Sequence, residues 1–121
     1  MGPRSTILFL ILSIVAIDYL PLASSRVRNL SERKWCVTAL SATDEQMQAN
    51  IDWLCGQGKV DCNPIKPGGP CFEPNTLRNH ASFVMNEYYQ NNGRTDEACY
   101  FNDTSMYLIT DPSYGDCVYE A

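Results

Sequence analysis

The sequence predicts a small disulfide-rich α+β domain. Three observations carry that prediction: six cysteines downstream of a secretory leader, two helix-length segments with recognisable caps, and short strand-like stretches divided by turn residues. Each element follows from its residues in chain order.

Residues 1–25 read as a signal peptide. Arg4 supplies a positive start, Ile7 to Ile17 is an apolar run, and Ala23-Ser24-Ser25 offers a small-residue cleavage site. The run is shorter than the roughly 20 residues that cross a bilayer. No second apolar segment follows, so no membrane anchor is expected. Residues 26–34 form a basic arm holding Arg26, Arg28, Arg33 and Lys34.

In an oxidising compartment Cys36, Cys55, Cys62, Cys71, Cys99 and Cys117 imply three disulfides, with fifteen pairings open to sequence alone. Spacing suggests that Cys55 and Cys62 clip one loop to a helix end. No CxxC pair and a single histidine argue against zinc; no metal or cofactor is expected. A core this small gains much from bridges that contribute about 2–4 kcal/mol each.

Trp35-Cys36-Val37 opens the domain as an extended segment. Thr43 and Gln46 make a capping box for a helix running to about Cys55 and stopped by Gly56. Met47, Ile51, Leu54 and Cys55 share its core face, whereas Trp53 lies on the far side and needs a second packing partner or a ligand. Gly56 to Pro70 is loop, with Val60 and Ile65 as anchors. A second helix begins near Pro74-Asn75-Thr76 with Asn75 as cap, and ends near Asn91 or Asn92 before Gly93. Leu77, Ala81, Val84 and Tyr88, flanked by Met85, line its core side. Asn79, Phe83, Asn86 and Gln90 recur on the opposite side. Cys99-Tyr100-Phe101 and Tyr107 to Thr110 read as short strands, and Asp111 to Gly115 as a turn.

Charge excludes several partners. From Trp35 onward twelve acidic residues face only Lys59, Lys66, Arg78 and Arg94, a balance that repels nucleic acid, anionic lipid and acidic polysaccharide. A neutral ligand fits. Catalysis finds little support: His80 is the one histidine, read as a structural residue bonding a loop carbonyl, and all the cysteines are expected to be paired. Asp52, Asp61, Glu73 and Glu87 could serve glycoside hydrolysis, yet none reads as sitting in an apolar setting that raises a carboxyl pKa. Sugar binding fits better. Pyranose C–H faces lie on aromatic rings, and hydroxyls pair with amides. Asn79, Phe83, Asn86 and Gln90 supply both kinds of group, with Trp53, Phe72, Tyr89 and Tyr114 as further aromatic candidates. Asn29-Leu30-Ser31 and Asn102-Asp103-Thr104 are N-glycosylation sequons.

Several motifs then occur in a familiar order: Trp35-Cys36-Val37, Ile51-Asp52-Trp53-Leu54-Cys55-Gly56, Val60-Asp61-Cys62, Gly68-Gly69-Pro70-Cys71-Phe72, Pro74-Asn75-Thr76, His80-Ala81-Ser82-Phe83, Tyr88-Tyr89-Gln90 and Asp111-Pro112-Ser113-Tyr114-Gly115-Asp116-Cys117. From Trp35 to Cys117 the chain resembles the plant X8 domain, carbohydrate-binding module family 43, which occurs in callose-binding proteins, pollen allergens and glucan endo-1,3-β-glucosidases. The resemblance implies two angled helices, a small antiparallel sheet and long coil connections over residues 35–118. It also implies the pairing Cys36–Cys99, Cys55–Cys62 and Cys71–Cys117, and non-catalytic binding of β-1,3-glucan. Where the family often has a Gly/Ser/Thr-rich stretch, this chain has Tyr100 to Thr110 with its sequon. The resulting expectation is a free-standing, monomeric, secreted module binding callose in the plant cell wall through Asn79, Phe83, Asn86, Gln90, Trp53, Tyr89 and Tyr114. An extracellular protein ligand that has lost glucan binding is the alternative.

Overall fold

The computed structural model describes residues 33–121. The predicted leader, most of the basic arm and the Asn29 sequon lie outside them.

The first helix, α1, spans Asp44–Gly56 and starts as the capping box requires. The Thr43 N–H donates to Gln46 Oε1 at 3.0 Å, and the Gln46 N–H donates back to Thr43 Oγ1 at 3.2 Å. Asp44 and Glu45 add negative charge where the helix dipole is positive. Met47 and Leu54 are buried, with Ile51 and Cys55 packed against the same core. Gly56 is still helical; Gly58, at φ +64°, is the residue that turns the chain. Its neighbours Lys59 and Val60 return N–H groups to Leu54 O, so the stop falls two residues later than expected.

The second helix, α2, spans Leu77–Asn91. Its cap is Thr76 rather than Asn75: Thr76 is extended, and its Oγ1 accepts the Asn79 N–H at 3.1 Å. Gly93 sits at φ +82° after the last turn.

Two strands complete the frame. β1, Trp35–Thr38, is buried along its whole length and pairs antiparallel with β2, Ser105–Leu108, in the register Trp35 opposite Leu108 to Thr38 opposite Ser105. The N–H groups of Cys36 and Thr38 go instead to side chains of α2, Asn86 Oδ1 at 3.1 Å and Ser82 Oγ at 3.2 Å. Residues 82 and 86 are one turn apart on a helix, so two side chains do for this edge what another strand would. Expected strand Cys99–Phe101 is replaced by two short 3-10 turns, Glu97–Cys99 and Phe101–Asp103, and β2 begins earlier than the predicted Tyr107.

The disulfides join Cys36 to Cys99, Cys55 to Cys62 and Cys71 to Cys117, with Cα separations of 5.8, 5.8 and 4.8 Å. They tie β1 to the turn before β2, the loop to the end of α1, and the approach to α2 to the C-terminal segment. That last segment is structural beyond residue 118. Tyr119 is buried, stands edge-on to Phe83 at 5.4 Å, and its carbonyl accepts Trp35 Nε1–H at 3.4 Å. The folded unit therefore extends past the expected boundary at 118.

Candidate functional site

The two sets of candidate residues have different fates. Asn86 is fully buried: its Oδ1 accepts from the Cys36 N–H and from Gln90 Nε2 at 3.2 Å, while its Nδ2 donates to Glu120 O at 2.9 Å. Gln90 also donates to Lys34 O at 3.1 Å. Phe83 and Tyr89 are 5% and 1% exposed. Asn79 donates to the Cys71 and Pro74 carbonyls and to the Tyr114 hydroxyl at 2.8 Å, and that hydroxyl lies 2.7 Å from Glu73 O, to which it donates. The face expected to meet solvent is thus a seam. β1 and the C-terminal segment lie on it, and its amides satisfy their backbone groups. α2 is buried on two sides, which a one-sided reading of its periodicity does not capture. Asn79 and Tyr114 remain accessible in part, but their polar atoms hold the entrance to α2. His80 has the structural part expected of it: Nε2 is 2.7 Å from Phe72 O, and its ring stacks on Phe72 at 5.5 Å.

Trp53 stands apart from that seam. The residue remains 38% exposed, and its ring meets Tyr88 edge-on at 5.2 Å and Phe101 at 6.4 Å; Tyr88 and Phe101 also meet each other at 5.9 Å. Lys59 Nζ lies 5.3 Å from the Trp53 ring centre. These three rings line an open cleft of about 410 Å³, with Asn50, Glu97 and Tyr100 among its polar neighbours. Its size is within the roughly 300–1,000 Å³ of ordinary ligand pockets.

Trp53 reaches the cleft because it lies on α1 opposite the Met47–Leu54 face. Tyr88 reaches it from the edge of α2. Phe101 comes from an unusual turn: Phe101, Asn102 and Asp103 have φ of +43°, +50° and +62°, a run that side-chain-bearing residues seldom adopt. Thr104 locks the turn. Its buried hydroxyl donates to Phe101 O at 2.5 Å and accepts from Asn50 Nδ2 at 2.9 Å, and its carbonyl accepts the Ala39 N–H at 2.8 Å. Strain held in this way is typical of sites whose geometry must be fixed. Tyr88 packs against the core, as its place on the helix predicts, and also lines the cleft. Phe101 lies in a 3-10 turn rather than the expected strand, and no local signal marks a left-handed turn without glycine.

Carboxylates need one correction. Burial, then the charges of Glu120 and Asp61, pushes the Glu87 carboxyl up to about 7, so one acidic residue does occupy a setting that favours its neutral form. It does not line the Trp53 cleft, where Glu97 is the one carboxylate among the described residues. No group of three or more His, Cys, Asp or Glu suited to a metal ion occurs among those residues.

The X8 domain signature matches residues 34–106. The chain belongs to the X8 domain family. It is 51% identical over 85 residues to the major pollen allergen Ole e 10 of Olea europaea, covering 70% of this chain and 69% of the allergen. Plasmodesmata callose-binding protein 5 of Arabidopsis thaliana is 48% identical over 85 residues, 70% of this chain and 47% of that protein. A glucan endo-1,3-beta-glucosidase of Triticum aestivum is 54% identical over 86 residues, 71% of this chain but 18% of the enzyme. The X8 domain thus spans less than half of the callose-binding relative and under a fifth of the glucosidase. The family signature stops at 106, before the Cys117 and Tyr119 contacts that close the seam.

Proposed function

We propose that this chain is a secreted, non-catalytic module that binds β-1,3-glucan in the plant cell wall, and that the Trp53 cleft is where it binds. The observation that carries the reading is the exposed Trp53 ring, backed by Tyr88 and Phe101 in an open cleft with amide, hydroxyl and carboxylate neighbours. Such a surface suits the C–H face and the hydroxyls of a neutral sugar. A callose-binding relative and β-1,3-glucan-hydrolysing relatives share this domain. Hydrolysis by either common route uses two carboxylates flanking the bond, and Glu97 is the one carboxylate among the residues that line the cleft.

Refolded protein is expected to be retained by insoluble β-1,3-glucan and to pass through cellulose. Trp53→Ala should lose retention while keeping its cooperative thermal transition. Passage of the wild-type chain through both columns would sink the reading; unchanged retention of the variant would move the site elsewhere.

A further inference from the structure

The turn that supplies Phe101 to the cleft wall also carries the sequon Asn102-Asp103-Thr104. Asn102 is exposed and lines the cleft at its rim. Thr104 is 5% exposed, with its hydroxyl engaged by Phe101 O and Asn50 Nδ2. A transferase that must read the asparagine and the hydroxyl together has no access to Thr104 once this turn has closed. Attachment therefore has to precede folding. Each molecule would enter its folded life with or without a glycan at that position.

We propose that an N-glycan on Asn102 is a built-in occluder of the Trp53 cleft, so that glycosylated and unglycosylated molecules form a closed and an open population. The proposal rests on the secreted, glucan-binding reading above. Its chemistry is the same on both sides of the competition: the first sugars of an N-glycan are β-linked pyranoses, and they would present C–H faces to the aromatic wall that glucan would use. The left-handed turn prevents the attachment point from swinging freely, since Cys36–Cys99 ties down the chain two residues before Phe101 and Thr104 bonds back to Phe101 O immediately after Asp103. A short tether places its end group at millimolar effective concentration. If the tethered sugar binds the rings with a dissociation constant about a tenth of that, apparent glucan affinity falls roughly tenfold.

The experiment uses the full chain made in a secretory host, with Asn29→Gln to leave one sequon, and site-resolved mass spectrometry to establish occupancy. The glycosylated protein is compared with the same preparation after native enzymatic release of the glycan. Release leaves aspartate, which tolerates the left-handed conformation as asparagine does. Two readouts are taken. Acrylamide quenching reports Trp53, because the chain's other tryptophan, Trp35, is buried; retention on insoluble β-1,3-glucan reports the site. Release should increase quenching and strengthen retention about tenfold, the factor set by the tethered competitor. An unoccupied Asn102, quenching that does not change, or equal retention of a glucan-binding protein before and after release overturns the proposal. If quenching increases but neither form binds glucan, the glycan does cover the cleft and it is the glucan reading that falls. The chain made without glycosylation in a bacterial periplasm keeps Asn102 intact and must behave as the released form does.

Discussion

The α2 seam and the Trp53 cleft are built from the same residue types, amides and aromatic rings, and differ in how far the rings are withdrawn from water. In the seam, Asn86 and Gln90 spend their polar atoms on the backbone of β1 and the C-terminal segment, and Phe83 meets Tyr119 away from water. In the cleft the rings pack edge-on against one another and Trp53 stays partly exposed. Residue type therefore says little about binding until the partners are known. A polar group in a helix is a ligand contact only if the fold has not already claimed it.

The comparison breaks most sharply at Phe83. Phe83→Ala removes a buried ring from the middle of the seam, and a loss of about 3–5 kcal/mol is expected from the cavity it leaves. For a domain of this size that lowers the melting temperature by well over ten degrees. The folded fraction should retain its glucan affinity. Weak binding with an unchanged melting temperature would instead return the seam to the role of a binding face.

Asn86→Leu is the next test, at about 1–3 kcal/mol. The substitution roughly preserves volume but strands the buried Cys36 N–H, whereas water can replace the amide at the carbonyl of exposed Glu120. Hydrogen exchange should show the Cys36 amide losing protection first. Equal protection in variant and wild type would mean that the β1 edge does not depend on α2.

Much of the fold was legible because its signals are local. The Thr43 and Gln46 capping box, the Met47–Leu54 stripe and the Cys55–Cys62 clip involve residues near one another, and all of them occur. The candidate cleft was legible only in part. Trp53 faces away from the core side of its own helix, and Tyr88 and Phe101 are the second packing partners that position requires. Those partners were not legible, because Tyr88 lies between two packing directions and Phe101 depends on a left-handed turn stabilised from Asn50, some fifty residues earlier. The misread stripe has the same cause. The C-terminal segment and β1 converge on α2 from opposite ends of the chain, and helical periodicity contains no trace of either.

Glu87 lies between Asn86 in the seam and Tyr88 in the cleft, and offers the smallest and most specific probe of whether the two regions share their stability. Its carboxyl is raised by burial, by Glu120 at the end of the seam, and by Asp61 in the loop clipped to α1. Because the folded chain holds this proton more tightly than the unfolded chain does, low pH favours folding. The contribution is full below about 4.5 and is lost as pH rises toward about 7. The shift sets a ceiling near 3 kcal/mol at about 1.4 kcal/mol per pH unit. The side chain is only half-buried, and solvent screening reduces the effect to about 1–2 kcal/mol. Wild-type protein should therefore melt several degrees higher at pH 5 than at pH 8, and Glu87→Gln should flatten most of that difference by raising stability at the alkaline end. If the variant retains the wild-type slope, other carboxyls set the pH dependence, and Glu87 does not link the C-terminal segment to the α1 loop.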